Sequence, residues 1–305
     1  MATFHADPVQ VLVPATCANL GPGFDTFGLA LETYDCLVGM VSEDAGVLVE
    51  VEGEGFQDVP RDASNLVVQS MALGFRAMQV RPEGFVLRCT NVIPHGRGLG
   101  SSAAAIIGGL GLARAMVVEG QELMPDELLL QVALELESHP DNLAAALYGG
   151  FTNAWLEGVG AQSVRHEVHQ AVVPITAVPA FKVATSHARS ALVPMVSRED
   201  ASFNISRAAL LVHALTNNPS LLLSATQDRL HQDARRAVYP AAMELVDSLR
   251  DAGLPAVISG AGPSVLVLGS VGDLAQVRAT AGDQWNVREH SVARDGVQIS
   301  PLSAI

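Results

Sequence analysis

Residues 94–105 read Pro-His-Gly-Arg-Gly-Leu-Gly-Ser-Ser-Ala-Ala-Ala, three glycines and two serines directly before a run of small residues. Glycines let a backbone approach a ligand and adopt conformations closed to other residues. Ser101 and Ser102 fall where a helix would begin, so hydroxyls and first-turn amides can face one anion. That is chemistry for holding phosphate. A Walker A loop is excluded, because it needs Gly-Lys-Ser or Gly-Lys-Thr and neither tripeptide occurs. A dinucleotide fingerprint fails too, for want of the G-x-G-x-x-G spacing. Lys182 is the only lysine and every other fixed side-chain cation is arginine. An anion must therefore be held by backbone amides, a helix end, a metal ion or chosen arginines.

Three further groups could act beside such a loop. Asn19 and Asp25 lie in the turn-rich stretch Pro-Ala-Thr-Cys-Ala-Asn-Leu-Gly-Pro-Gly-Phe-Asp, residues 14–25. Alone they read as an Asx-turn and a helix cap. Glu135, Glu137, Asp141 and Asn142 crowd the segment Leu-Glu-Leu-Glu-Ser-His-Pro-Asp-Asn, residues 134–142. There the glutamates read as exposed helix charges, and Asp141 and Asn142 as caps at a helix start after Pro140. Arg189 and Arg235 could each grip a carboxylate with two parallel hydrogen bonds, although a lone arginine is usually solvated. His139 reads as structural, and no histidine spacing suits zinc.

These residues need a mixed scaffold. Val9 to Val13 alternates into a strand that should end at Pro14, and Leu37 to Val41 and Val47 to Val51 read as further strands. Asp62-Ala63-Ser64 caps a helix over Asn65 to Val80, and Phe85 to Val92 returns to strand just before the glycine loop. Helices are expected from Ser101 to Val118, Pro125 to Glu137 and Pro140 to Leu147, then a strand from Phe151 to Leu156. Glu157 to Val164 carries glycines and no periodicity, which puts a domain boundary at residue 160, with domains 1–160 and 161–305. The second half offers a strand at Phe181 to Thr185 and helices at Ala201 to Thr216 and Pro240 to Ala252. Two strands follow, Ala256 to Ser259 and Val265 to Leu268, split by Gly260-Ala261-Gly262-Pro263. The class is α+β, without the strict alternation of a doubly wound fold.

The chain has 305 residues, 49% of them hydrophobic, with mean hydropathy +0.29, enough for a large core. A formal net charge of −14 argues against nucleic acid, whose binding rests on cationic contacts to phosphate. The most apolar run, Ala103 to Val118, is interrupted by Arg114 and is short for a membrane span. The opening MATFHADPVQ lacks the basic and apolar regions of a signal peptide. Cys17, Cys36 and Cys89 have no C-x-x-C spacing, which suits reduced thiols in a cytoplasmic protein.

The stretch Pro94 to Ala103 resembles the second motif of the GHMP kinases, P-x-x-x-G-L-G-S-S-A. Residues 14–25 resemble the family's N-terminal motif in the form typical of its homoserine kinases, and residues 259–264, Ser-Gly-Ala-Gly-Pro-Ser, resemble its C-terminal glycine motif. His139-Pro140-Asp141-Asn142, Thr185 with Ala188-Arg189, and Arg235 followed by Pro240 fit the same branch, with motif order kept from Pro14 to Ser264. The resemblance implies the two-domain GHMP kinase fold: an N-terminal domain like ribosomal protein S5 domain 2, then a ferredoxin-like α/β sandwich. It implies transfer of the ATP γ-phosphate to the side-chain hydroxyl of L-homoserine in threonine biosynthesis, with ATP and Mg2+. It assigns Asn19, Asp25, Asp141, Arg189 and Arg235 to the amino acid, with Asp141 and Arg189 catalytic. Asp141 would mostly orient the hydroxyl, with a base role as the alternative. Nucleotide contacts fall to Asn65, Pro94, Gly96, Arg97, Gly98, Leu99, Gly100, Ser101 and Ser102, although the Arg97 side chain is dispensable for phosphate. The metal falls to Glu135 with Ser102 or Ser101. A homodimer in the cytoplasm, with no nucleic acid and no membrane partner, is implied as well.

Two departures stand out. One extra residue separates Arg189 from Pro194, and Cys17 replaces the usual serine. Among rivals, a sugar gives paired acids and arginines nothing charged to hold, and mevalonate has a carboxylate but no ammonium. A non-catalytic member of the fold would not need Glu135, Asp141 and an intact loop together.

Overall fold

A computed structural model describes residues 3–158 and 160–302, and the side chain of Thr185 lies outside what it describes. The first half is built on β1 (Val9–Ala18) and the long β2 (Phe27–Ser42), paired antiparallel. β3 (Gly46–Gly53) leads through α1 (Leu66–Ala77) to β4 (Gly84–Asn91), which pairs parallel to β3 and antiparallel to β2. β1 does not stop at Pro14. A register shift between Pro14 and Ala15 absorbs the proline, whose missing N–H is tolerated at such an irregularity, and the strand runs on to Ala18. That extension brings Thr16 against Leu99 and Asn142.

α2 (Ser101–Met116) packs against β1 and α1, buried on nearly all sides. Gly109 makes the close approach to α1: a Cβ there would stand 2.6 Å from the Val67 carbonyl oxygen. α3 (Gly120–Leu123), α4 (Asp126–Ala133) and α5 (Pro140–Tyr148) follow. α4 ends four residues before the expected Glu137. His139 precedes a proline, which disfavours helical dihedrals, and it sits at φ −111°, ψ 120°. The link between α4 and α5 is therefore irregular.

β5 (Phe151–Glu157) and β6 (Gly160–His166) form a hairpin that pairs through β5 to β2. β6 occupies the segment expected to be a boundary. It is an edge strand with a single buried residue, Ala161, so it lacks the apolar alternation that reveals a buried one. The first sheet has order β11-β1-β2-β4-β3, with β5 paired to β2 and β6 to β5, and takes β11 (Gln298–Pro301) from the far end of the chain.

The second half holds β7 (Val173–Pro179), α6 (Thr185–Ser190), α7 (Arg198–Thr216) and α8 (Leu222–Ala225), then α9 (Pro240–Asp251), β8 (Ala256–Ile258) and β9 (Val265–Gly269). α10 (Leu274–Ala281) and β10 (Trp285–Glu289) complete it. The sheet order is β10-β7-β9-β8, and α9 and α10 bury Val246, Leu249 and Val277 against Ile175, Val265 and Val267. The strand expected at Phe181 to Thr185 is absent. The true strand, β7, lies earlier and is framed by Pro174 and Pro179, residues that argue against a strand in sequence. No helix among the described residues is long and apolar enough to cross a membrane.

Candidate active site

The glycine loop is a seam between the halves. Gly100 caps α2 at φ 71° with no side-chain cap, so the first-turn amides stay open. Thr16 donates its backbone N–H to the Leu99 carbonyl at 3.1 Å, and Val183 donates its own to Gly96 at 3.0 Å. Ser259 Oγ donates to the Gly98 carbonyl at 2.6 Å, and the Ser264 N–H to that of Arg97 at 3.2 Å. A Cβ on Gly98 would collide with the Ser259 carbonyl oxygen, and one on Gly100 with Thr16 Oγ1. Only glycine fits either position.

Arg97, whose one carboxylate neighbour among the described residues is Glu54 at 3.9 Å, is mostly shielded from solvent. Its Nε donates to the Pro179 carbonyl at 2.9 Å and its Nη2 to that of Ala180 at 2.9 Å, strapping the loop to the end of β7. Leu99 points into the core, so only its backbone belongs to the site, and Pro94 stands outside the cavity, half-buried. Asn65 caps α1. Its Oδ1 accepts from the Val67 N–H at 2.9 Å and its Nδ2 donates to the Pro60 carbonyl at 2.8 Å, which spends the amide.

The break after α4 sends two nearby glutamates in different directions. Glu135 turns outward and pairs with Arg76 at 2.6 Å, both exposed. The structure does not bring it to the cavity. Glu137 enters the cavity instead, beside Ser101 and Ser102. It lies 2.7 Å from His139 Nδ1, a contact that lowers the Glu137 pKa and raises that of His139.

Asp141 opens α5 and is buried. Its Oδ1 accepts from the Asn142 N–H at 2.7 Å. Burial pushes its pKa up to about 6, a shift the Asn142 hydrogen bond opposes and Asp25 reinforces. Asn142 is fixed by Thr16 Oγ1, which donates to its Oδ1 at 2.8 Å.

Residues 19–25 supply the opposite wall. Asn19, Leu20 and Asp25 all have left-handed backbones, at φ 68°, 50° and 55°, a strain that needs outside support. Asn19 provides some of it: its Oδ1 accepts from the Asp25 N–H at 2.9 Å and its Nδ2 donates to the Gly260 carbonyl at 2.8 Å. Its amide thus holds the loop, although the residue still lines the cavity. Asp25 forms a two-pronged pair with Arg189, at 2.7 and 3.3 Å. Arg235, in a single helical turn over Asp233–Arg235, is buried. Its Nε donates to the Ala188 carbonyl at 3.0 Å.

Asn19, Asp25, Glu137, His139, Asp141, Arg189 and Arg235 line one polar cavity of about 160 Å3 with Gly96, Gly98, Gly100 and both serines. A more apolar cavity of about 320 Å3 adjoins it, shares Ser101 and Ser102, and is bordered by Asn65, Leu66 and Val67. The adjoining pair suits a two-part ligand set: a flat apolar group joined through phosphates to a small polar molecule. A larger cavity of about 600 Å3, lined by Glu167, His169 and His290, shares no residue with either and lacks a glycine loop. Among the described residues no cluster of three His, Cys, Asp or Glu side chains could hold a metal alone.

The chain is also similar in sequence and fold to known proteins. Residues 65–150 match the family described as GHMP kinases N terminal domain, and residues 207–286 match GHMP kinases C terminal. A homoserine kinase of Streptomyces avermitilis is 47% identical over 301 residues, covering 99% of this chain and 98% of that protein. One from Clavibacter michiganensis is 52% identical over 262 residues, covering 86% and 83%. The crystal structure of a homoserine kinase from Cytophaga hutchinsonii superposes with TM-score 0.84 at 27% identity, covering 96% of this chain and 98% of that one.

Proposed function

The chain belongs to the homoserine kinases of the GHMP kinase family, enzymes that move the ATP γ-phosphate to the side-chain hydroxyl of L-homoserine, and we propose how its own residues do so. The observation that carries the proposal is one polar cavity holding three unlike features. These are the open N-terminus of α2, the buried carboxylate of Asp141 and the buried guanidinium of Arg235. Homoserine carries a carboxylate, an ammonium and a hydroxyl, and Arg235, Asp25 and Asp141 in the same cavity offer each a partner.

The substrate carboxylate binds Arg235, supported by Arg189, and the ammonium faces Asp25. The phosphates lie on the amides of Gly98 to Ser102, where the α2 dipole favours negative charge. The nucleoside fills the apolar cavity beside Asn65. The hydroxyl then points at the γ-phosphorus and donates a hydrogen bond to Asp141. A bond forms between that oxygen and phosphorus, the bond to the β-phosphate oxygen breaks, and ADP leaves. Because the transition state is loose, early deprotonation is not demanded. Asp141 orients the hydroxyl first and, with a pKa near 6, takes its proton as the new bond completes.

Glu137 and the Ser101 and Ser102 hydroxyls form a hard oxygen set suited to magnesium, with the remaining ligands left to phosphate and water. When bound, the ion neutralises charge on the triphosphate. The lowered pKa of Glu137 keeps it ionised for this role. Magnesium, a homodimeric state and a cytoplasmic location belong to the same proposal and rest on family membership. Magnesium-dependent ADP release tests it: turnover is expected with L-homoserine and not with mevalonate or galactose. Equal turnover of all three, or of none, contradicts it.

A further inference from the structure

His231 is almost fully buried and stands four residues before Arg235, just ahead of the turn that carries it. Its Nδ1 lies 3.0 Å from Arg235 Nη1, and its Nε2 lies 2.8 Å from the Gly21 carbonyl oxygen. A guanidinium donates and cannot accept, so Nδ1 must be the bare nitrogen and Nε2 must carry the hydrogen. Both partners therefore fix the same neutral tautomer. Asp228 does not compete for Nε2–H. Its Oδ2 is 3.7 Å away and takes the backbone N–H groups of His231 at 3.1 Å and Gln232 at 2.9 Å. The Phe24 ring stacks on the imidazole, with centroids 5.0 Å apart and 23° between planes, and its face lies 5.5 Å from the Arg235 guanidinium carbon.

We propose that His231, which does not line the cavity, is the positioning residue for the substrate carboxylate: it fixes the Arg235 guanidinium and locks the 19–25 loop to it. The Ala188 carbonyl accepts from Nε and His231 from Nη1, and the buried Tyr239 hydroxyl stands against the same guanidinium, so Nη2 is the nitrogen left to take the carboxylate. The same ring grips the loop that presents Asp25. Asp25 itself is held independently by Asn19 and Arg189, so the ring sets the carboxylate end of the amino acid. The proposal rests on Arg235 binding the carboxylate.

Steady-state kinetics with L-homoserine and its neutral carboxamide test this. His231→Gln keeps a donor at the Nε2 position and offers no acceptor at Nδ1, and His231→Phe keeps only the stacking on Phe24. Both variants should raise the homoserine KM by about 30-fold with kcat within about threefold, and leave the carboxamide kcat/KM within about threefold. The preference for the carboxylate should thus collapse by roughly tenfold or more. His231→Asn puts an amide oxygen where Nδ1 sits and should restore the preference to within about fivefold of the native enzyme. Equal losses with both substrates, or no restoration by asparagine, overturn the role of His231. Arg235→Lys separates the two levels. If it leaves the preference intact, the carboxylate assignment itself fails. If it abolishes the preference while His231→Gln does not, only the role of His231 fails.

Discussion

Glu135 and Glu137 differ by two positions and face opposite surroundings, one a solvated partner of Arg76, the other a wall of the phosphate cavity. Replacing each with glutamine separates them. Glu137→Gln should lower kcat/KM for MgATP by about 100-fold or more, while Glu135→Gln, which loses a surface pair worth under about 1 kcal/mol, should stay within about threefold. Asp141 carries a stability consequence as well. Its pKa is raised from 3.8 to about 6, so the folded state prefers the proton and the ionised form costs stability. The penalty is complete above about pH 6 and vanishes as pH falls below the unfolded value. Asp141→Asn should therefore stabilise the protein at pH 8 by on the order of 1–3 kcal/mol and hardly at all near pH 4, as differential thermal melts will show. The same substitution should cut kcat by about 10- to 100-fold and raise the homoserine KM. A loss of several orders of magnitude in kcat at unchanged KM would instead make Asp141 an obligate base. The native kcat/KM should fall as pH drops through about 6, because the carboxylate must be ionised to accept the hydroxyl hydrogen bond.

Elements set these residue positions through their ends. β1 runs on to Leu99 and Asn142 because a register shift hides Pro14, α4 gives way to turns after Ala133, well before Pro140 constrains His139, and α2 begins at a left-handed glycine with bare amides. The last feature was legible in the sequence, since Gly-Leu-Gly-Ser-Ser has few other uses. The early stop of α4 was not: Ala-Leu-Glu-Leu-Glu carries good helix formers, and within a helix expected to run to Glu137 the family resemblance pointed to Glu135. Arg97 was illegible for another reason. Its partners are carbonyls of Pro179 and Ala180, more than eighty residues away, and backbone acceptors leave no mark in side-chain identity. Gly98→Ala tests the element directly. A Cβ there meets the Ser259 carbonyl at a left-handed backbone, so the variant should lose about 2 kcal/mol or more and raise the ATP KM at least tenfold. Native-like melting and ATP affinity would show that the loop can move away from the 259–264 turn.

At the scale of the molecule, the site exists only where the two halves meet. The first half supplies the loop, α2, Glu137 and Asp141, and the second supplies Arg189, Arg235 and the 259–264 turn. Bonds across that seam hold the strained 19–25 segment, including Asn19 to the Gly260 carbonyl and Asn204 Nδ2 to the Pro22 carbonyl at 2.9 Å. Sequence motifs name these partners singly, and only the fold shows that they share one wall. The central claim is that this wall measures an amino acid and sets its hydroxyl on the γ-phosphate. Phosphorus-31 NMR of reactions with MgATP and either L-homoserine or L-serine tests it most directly. The two substrates share both charged ends and differ by one methylene, a displacement of about 1 Å at the hydroxyl. A new phosphomonoester resonance with homoserine, and at least about 100-fold slower formation with serine, is the expected result. Comparable rates with both, or a phosphate signal that grows only as free inorganic phosphate, would contradict it.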